Sequence, residues 1–242
     1  MSADPAAKLR KRLESLAAEA PSPDEQPRFA PTQLVDHPFA DPVLEHLLHA
    51  FLVWEAGERR AASAPAKLAA RCIDANDLRI CLPSEIVAAL GTTYPRAGER
   101  AERIRATLNA VFDREHEVSL ASLAALGKRE AKQYLDTLEG IPPYVAARTA
   151  LLALDCHAFP IDDRLARLLD AEGCLPDDAP SADAQGWIER QLRAGEAPAM
   201  FLGLEAWAAD RKPPAKTTKK AKASRTTKKA TSRKRKGRST SA

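Results

Sequence analysis

The residues most able to bind a ligand or take part in a reaction lie between positions 138 and 163 of this 242-residue chain. Segment 138–144 reads LEGIPPY, with a glycine and two prolines between two apolar helical patterns, which predicts a short turn between two helices. Asp162 then precedes Asp163-Arg164-Leu165 at the start of the next predicted helix. A carboxylate there can cap the helix, and in a site it can also stabilise developing positive charge.

The turn itself is a candidate anion site. A short turn before a helix N-terminus leaves backbone N–H groups unpaired, and the helix dipole favours negative charge there. An ordinary helical hairpin without a ligand gives the same pattern, and an arginine one turn into the second helix could contact phosphate or only be solvated. The residues predicted to contact DNA here are Gly140, Ile141, Pro142, Tyr144, Ala146 and Arg148.

Segment 138–146, followed by Phe159-Pro160-Ile161-Asp162, resembles the helix-hairpin-helix and Gly/Pro-Asp region of the endonuclease III-like (HhH-GPD) DNA glycosylase superfamily. The resemblance extends more weakly from Pro42 to Trp207 through the order and length of the helices. It implies an all-α, two-lobed fold, a hairpin that holds DNA phosphate, and a catalytic carboxylate at Asp162 beside the pocket for a flipped base.

Three departures from that family narrow the implied chemistry. Tyr144 stands where bifunctional members carry the lysine that attacks the sugar, and a phenol cannot form a Schiff base. No cysteine follows Cys174, so the iron–sulfur loop of many members has no counterpart, and we predict no cofactor and no metal site. Glu55 stands where members often have a glutamine that fills the gap left by the flipped base, although a carboxylate would repel phosphate.

The rest of the chain predicts the elements that position these residues. Valine and isoleucine together number only 14, which favours helix over sheet. Apolar periodicity predicts helices from Pro42 to Leu52 and over 64–72, 83–90 and 128–137, whereas alternation over 78–82 suggests a brief extended piece. Ser119 is a predicted N-cap for a helix over 120–126, with Gly127 as its stop.

These patterns divide the chain into three parts. Residues 1–40 hold a short amphipathic helix with Leu9, Leu13 and Leu16, then a proline-rich linker or arm. Residues 41–210 form the HhH-GPD-like helical domain, with the hairpin at about 128–154. Residues 211–242 form a Lys/Arg-rich tail that we expect to be disordered, because it has nothing apolar to bury.

Charge is divided unevenly between the body and the tail. The chain has 37 Lys+Arg and 33 Asp+Glu, and residues 211–242 hold 14 of the basic residues and no acidic ones, so residues 1–210 carry a net charge of −10. A basic, flexible tail favours nonspecific phosphate binding, with a solubility tail or an import signal over 232–236 as alternatives. The predicted DNA-binding residues of the tail are Lys219, Lys220, Lys228, Lys229, Arg233, Lys234, Arg235 and Lys236.

Cysteine spacing and hydropathy bear on the compartment. Four cysteines at 72, 81, 156 and 174 are too scattered for a disulfide framework and indicate reduced, buried thiols. No apolar run approaches the roughly 20 residues of a membrane span, and the N-terminus is charged. We therefore expect a soluble monomer of the cytoplasm or nucleoid, or of the nucleus in a eukaryote, with double-stranded DNA as partner and no membrane.

Three functions are compatible with these features. The first is a monofunctional DNA N-glycosylase of base-excision repair, without strand cleavage. The second is a noncatalytic helix-hairpin-helix protein that binds DNA or associates with the nucleoid. The third is an acidic helical interaction module whose tail binds RNA, in which case the hairpin match is accidental. An open pocket at Asp162 favours the enzyme, and a pocket filled by side chains favours the binder.

Overall fold

Helices make up all the regular structure in residues 4–20, 41–176 and 181–214, which are the residues described by the computed structural model. The all-α prediction is therefore confirmed. The α-helices are α1 (Pro5–Ala17), α2 (Pro42–Val53), α3 (Glu58–Ala61), α4 (Ala64–Ala69), α5 (Ala75–Ile80), α6 (Pro83–Leu90), α7 (Ala97–Glu115), α8 (Lys128–Asp136), α9 (Pro143–Ala153), α10 (Asp163–Ala171), α11 (Ser181–Glu189) and α12 (Ala197–Ala208), and a 3-10 helix spans Ala121–Ala125.

Aspartate caps and first-turn prolines determine where several helices begin. Asp41 caps α2 by accepting the Leu44 N–H at 2.9 Å, and Pro42 follows as the first helical residue. The second Asp41 oxygen accepts the Ser119 hydroxyl and the Leu120 N–H. A single buried carboxylate therefore ties the start of α2 to the segment before the 3-10 helix.

The helices form two groups that share α2. In one group α4 packs on α6, and both α5 and α6 pack on α7. In the other group α1 packs on α12, α8 on α9, and α10 on α11. Helix α2 is buried along most of its length and contacts both α9 and α7, so it joins the two groups in one continuous core.

Helix α1 belongs to this core. Leu9, Leu13 and Leu16 are buried, as the sequence predicts, and they face α12. The contact is close at Gly203, where an added Cβ would lie 2.3 Å from the Leu16 carbonyl oxygen. The packed core therefore begins ahead of residue 41, whereas residues 21–40 lie outside the described part of the chain.

Two local predictions are wrong. Residues 78–80 are helical rather than extended, because Asp74 caps α5 by accepting the Asp77 N–H at 2.7 Å, whereas Leu82, which precedes α6, has an extended backbone. The apparent alternation separates buried Leu78 from exposed Ile80 and Leu82. Residues 121–125 form a 3-10 helix rather than an α-helix, and Gly127 stands at the start of α8 instead of ending the preceding turn.

The cysteines are free thiols, but two of them are not scattered. Cys72 and Cys81 flank α5, and their sulfur atoms lie 3.2 Å apart. Burial, followed by the hydrogen bond with Cys81, raises the pKa of Cys72 to about 12. None of the helices in the described residues is both long and apolar enough to cross a membrane.

Candidate functional site

The predicted hairpin is formed by α8, the turn at 137–142 and α9. Gly140 has φ +79°, and an added Cβ would lie 2.7 Å from the Ala106 Cβ on α7. Two side chains of α7 bind the turn: Arg103 donates to the Gly140 carbonyl and Thr107 to the Glu139 carbonyl, both at 3.1 Å. A residue with a side chain at position 140 would therefore strain the backbone and push the turn away from α7.

The start of α9 has two backbone N–H groups without an intrahelical acceptor. The first bond of the helix runs from the Ala146 N–H to the Pro142 carbonyl, so the Ala146 N–H is used inside the protein. The preceding N–H groups, of Tyr144 and Val145, have no intrahelical acceptor. Gly140 and Ile141 are partly exposed beside them.

Three predicted DNA contacts from side chains in α9 require correction. Tyr144 is 2% exposed, Ala146 1% and Arg148 2%, so none of these side chains reaches the surface. Pro142 is also buried. The three α9 side chains lie on the face that packs against α2 and α12. Spacing within the hairpin does not reveal that orientation. Phosphate contact at this hairpin remains a prediction for the partly exposed turn and the free N–H groups.

Arg148 is instead the centre of a buried polar network. Its guanidinium makes a two-pronged ion pair with Glu205 of α12, with both N–O distances at 3.1 Å, and donates to Glu58 of α3 at 2.7 Å. The Tyr144 hydroxyl donates to Glu205 at 2.7 Å, and the His49 ring contacts both Glu58 oxygens at 3.1 Å. The network joins helices α2, α3, α9 and α12.

Burial and charge act on the network in opposite directions. Burial raises the pKa of Glu205, although the Arg148 charge offsets part of that rise. Burial also acts to raise the pKa of Glu58, but bonds from His49 and the Arg148 charge outweigh it and leave the pKa lowered. Burial, reinforced by the Glu205 charge, raises the pKa of Tyr144, so its phenol stays protonated.

Asp162 lies beside this network and caps α10. It is 7% exposed, and both carboxylate oxygens accept main-chain N–H groups, from Leu165 at 2.8 Å and from Glu55 at 2.7 Å. Burial raises the pKa of Asp162, and the two N–H bonds lower it only in part. The N-cap role inferred from the sequence is therefore confirmed, and the same carboxylate also fixes the loop that follows α2.

Glu55 points toward Asp162 rather than toward solvent. Its backbone has φ +58°, and its carboxylate accepts the Asp163 N–H at 3.2 Å with Arg96 at 3.7 Å. Burial, followed by the Asp162 charge, raises the pKa of Glu55. We call the two bonds, from the Glu55 N–H to Asp162 and from the Asp163 N–H to Glu55, the Glu55–Asp162 clasp. The clasp explains how a carboxylate is accommodated at position 55.

The loop at 54–57 is also held from its other side. The Arg100 guanidinium on α7 is fully buried and donates to the carbonyls of Phe51, Trp54 and Pro95. Burial lowers the pKa of Arg100 to about 10, which leaves it charged at neutral pH. A buried cation at the C-terminal end of α2 is favoured by the helix dipole as well as by these bonds.

The space beside Asp162 is almost filled. The cavity there has a volume of about 10 Å³, whereas one water molecule needs roughly 10–15 Å³ measured in the same way. A nucleobase cannot enter without movement of the lining residues. These include Gly57, Glu58, Tyr144, Asp162, Leu165 and Glu205.

The sequence alone does not identify Glu58, Glu205 or His49 as partners in this region. The signal that could have found them is a lone charge in an otherwise apolar helix, as for Glu205 in segment 197–208 and Arg148 in segment 143–153. The described residues offer no group of three or more His, Cys, Asp or Glu side chains able to hold a metal ion. The predicted tail contacts from Lys219 to Lys236 lie outside the described residues.

Comparison with solved structures finds chains of the same fold. An endonuclease III trapped as a covalent intermediate with DNA aligns with a TM-score of 0.57 at 12% identity over 84% of this chain and 85% of that one. A thermostable thymine-DNA glycosylase aligns at 0.52, 16% identity, and 86% and 90% coverage. The 8-oxoguanine glycosylase/lyase of Clostridium acetobutylicum, in complex with DNA, aligns at 0.53, 14% identity, and 68% and 59% coverage.

These matches define the class of fold. The chain has the all-helical fold of helix-hairpin-helix DNA glycosylases, as the resemblance in segment 138–162 implied. No protein-family model matches the sequence, and no curated protein matches it.

Proposed function

We propose that this protein binds double-stranded DNA and acts in base-excision repair as a monofunctional DNA N-glycosylase. The observation that carries the proposal is the position of Asp162, a buried carboxylate where α10, the loop after α2 and the hairpin helix α9 meet, in a fold shared with DNA glycosylases. Of the three solved structures described above, two contain DNA.

The chemistry proposed for Asp162 is electrostatic. Cleavage of the N-glycosidic bond breaks the bond between the base and C1′ of the sugar and builds positive charge on the sugar. The base leaves with the bonding electron pair while a fixed carboxylate stabilises the positive charge on the sugar. Water then adds its oxygen at C1′ and its proton passes to the released base, which completes the hydrolysis. The base must first leave the stack, because the bond is inaccessible inside the duplex.

Tyr144 supports a product that is an abasic site rather than a cut strand. Strand cleavage through a Schiff base requires an amine, and position 144, where the resemblance would place the lysine of bifunctional members, carries a phenol. That phenol is buried, donates to Glu205 and has a raised pKa, so it is not a nucleophile either.

Excision at Asp162 requires the cavity to open. A volume of about 10 Å³ admits no base, so we propose that DNA binding releases the Glu55–Asp162 clasp and moves the loop at 54–57. Gly57, with φ +77°, lies in this loop and can absorb a change in backbone direction. Release would free one carboxylate oxygen of Asp162, while the other oxygen would still accept the Leu165 N–H.

The filled cavity favours a second candidate, a protein that binds DNA without excising a base. In that case the clasp and the Arg148 network are permanent parts of the core, and Asp162 is only a cap. The two candidates share the fold and the hairpin, and they differ in whether Asp162 ever contacts a sugar.

The test is an excision screen with the full-length protein on duplexes that each carry one damaged or mismatched base. Products are separated with and without hot alkali, which cuts at abasic sites. The glycosylase proposal predicts cleavage only after alkali, and no adduct with DNA after borohydride reduction. Tight duplex binding without cleavage on any substrate would support the binder. Preference for RNA over duplex DNA would contradict both candidates.

A further inference from the structure

A second feature of the surface, distinct from the hairpin, lies beside the Glu55–Asp162 clasp. It is an open cleft of about 480 Å³ between α3, the start of α10 and the end of α12. Its volume is in the range of ligand-binding clefts, roughly 300–1,000 Å³. Basic side chains dominate its lining, namely Arg59, Arg60, Arg164, Arg167, Arg211 and Lys212.

The cleft is positive on a body that is negative. Six basic side chains line it against two acidic ones, Glu55 and Asp210. The four basic side chains that belong to residues 1–210 still outnumber these acids, although that part of the chain carries a net charge of −10. Like charges gathered in one place repel one another and are most favourable when an anion lies among them.

Several of these cations are free to bind a ligand. Arg60 and Lys212 are exposed and make no ion pair within the described residues. Arg59 pairs with Asp210 at 2.9 Å, but both side chains are more than three-quarters exposed, so the pair is worth little and exchanges easily. Arg164, in contrast, is buried and donates to the Ala208 carbonyl, so it shapes the wall of the cleft.

The cleft connects the proposed catalytic residue to the tail. Glu55, which accepts the Asp163 N–H, forms part of its lining. Arg167 donates to the Pro214 carbonyl at 3.0 Å at the other side, and the lysine-rich residues 215–242 follow directly. Phosphates in this cleft would therefore lie between Asp162 and the start of the tail.

We propose that this cleft binds successive phosphates of one DNA strand beside the flipped base. The inference rests on the proposed function and adds a second strand contact, through Arg60 and Lys212, to that of the hairpin. The cleft then adds positive charge beside the clasp, on a body whose overall charge does not attract DNA.

The experiment compares two charge-reversal pairs in the full-length protein. R60E/K212E changes the cleft, and R190E/R193E makes the same change in charge at two exposed arginines outside it. Duplex affinity is measured for each variant and the wild type between 50 and 300 mM NaCl, and melting temperatures check the folds.

Each lost phosphate contact reduces the slope of log affinity against log salt by about 0.9, so the cleft pair should flatten the slope by about 2. Its affinity at low salt should fall at least tenfold below that of R190E/R193E. Equal slopes and affinities for the two variants would overturn the cleft while leaving the proposed function intact. Absence of duplex binding by the wild type would overturn both.

Discussion

Replacement of Arg148 by methionine tests the buried network at its centre. The change removes the guanidinium that bonds Glu205 at 3.1 Å and Glu58 at 2.7 Å and leaves both carboxylates inside the protein. Breaking a buried ion pair from one side costs about 3–5 kcal/mol. In a chain of this size each kcal/mol corresponds to about 2–4 °C, so the melting temperature should fall by roughly 6–20 °C.

The loss should depend on pH in a defined direction. Without Arg148 the pKa of Glu205, already raised by burial, rises further, so the folded variant holds a proton that the unfolded chain releases above its ordinary pKa. Its stability therefore falls as pH rises from the acid range. Glu58 has a lowered pKa, so its contribution to the wild type is present above its ordinary pKa and is lost as pH falls. The gap between Arg148→Met and wild type should be widest near pH 7.5 and narrow toward pH 4.

Thermal unfolding followed by circular dichroism at several pH values provides the measurement. Arg129→Met, at an exposed position of α8, is the matched control and should change stability by no more than about 0.5 kcal/mol. The double variant Arg148→Met/Glu205→Gln should recover part of the loss, because the remaining amide can still accept the Tyr144 hydroxyl. If Arg148→Met were as stable as Arg129→Met at pH 7.5, the inference of a buried ion pair would be wrong.

Three other predictions follow from single features. Gly140→Ala should lower both the melting temperature and duplex affinity, because its Cβ would lie 2.7 Å from Ala106, whereas Gly127→Ala, with its nearest neighbour at 3.7 Å, should change neither. A chain ending at Pro214 keeps the cleft but loses 12 of the 14 basic tail residues, so filter binding should show weaker duplex affinity at low salt and a flatter salt slope. Oxidised glutathione should convert Cys72 and Cys81 to a disulfide with release of two glutathione thiols, and the less buried Cys81 should attack first. Peptide mapping that found no such disulfide would contradict the 3.2 Å separation of the two sulfur atoms.

Local signals in the sequence predict the helices and the cap at Asp162 well. Asp41 and Asp162 precede apolar helical patterns, and both accept the N–H three residues on, as N-cap aspartates do. The hairpin is equally local, since Gly140 and the two prolines interrupt a helical pattern within a few residues. The prediction of a brief extended piece over 78–82 was wrong because alternation over five residues occurs in short helices as well as in strands.

The partners of the site residues could not be predicted in the same way. Arg148 bonds residues 90 and 57 positions away, and no spacing in the sequence relates them. The inward turn of Glu55 depends on a positive φ, which is rare for a residue other than glycine, asparagine or aspartate. Tertiary packing determines both features, and together they fill the space beside Asp162.

Single-turnover base excision by Asp162→Asn shows most directly whether Asp162 stabilises the sugar cation. Because both Asp162 oxygens accept N–H bonds, the amide must lose one of them, which costs roughly 1–3 kcal/mol. Asp41→Asn is the matched control, since Asp41 is also a buried N-cap with both oxygens bonded. On the substrate that the wild type excises, we expect a rate at least about 100-fold lower for Asp162→Asn, with duplex binding kept, and a near-normal rate for Asp41→Asn at a similar melting temperature. Equal excision rates for the two variants would contradict this expectation and leave Asp162 as a helix cap.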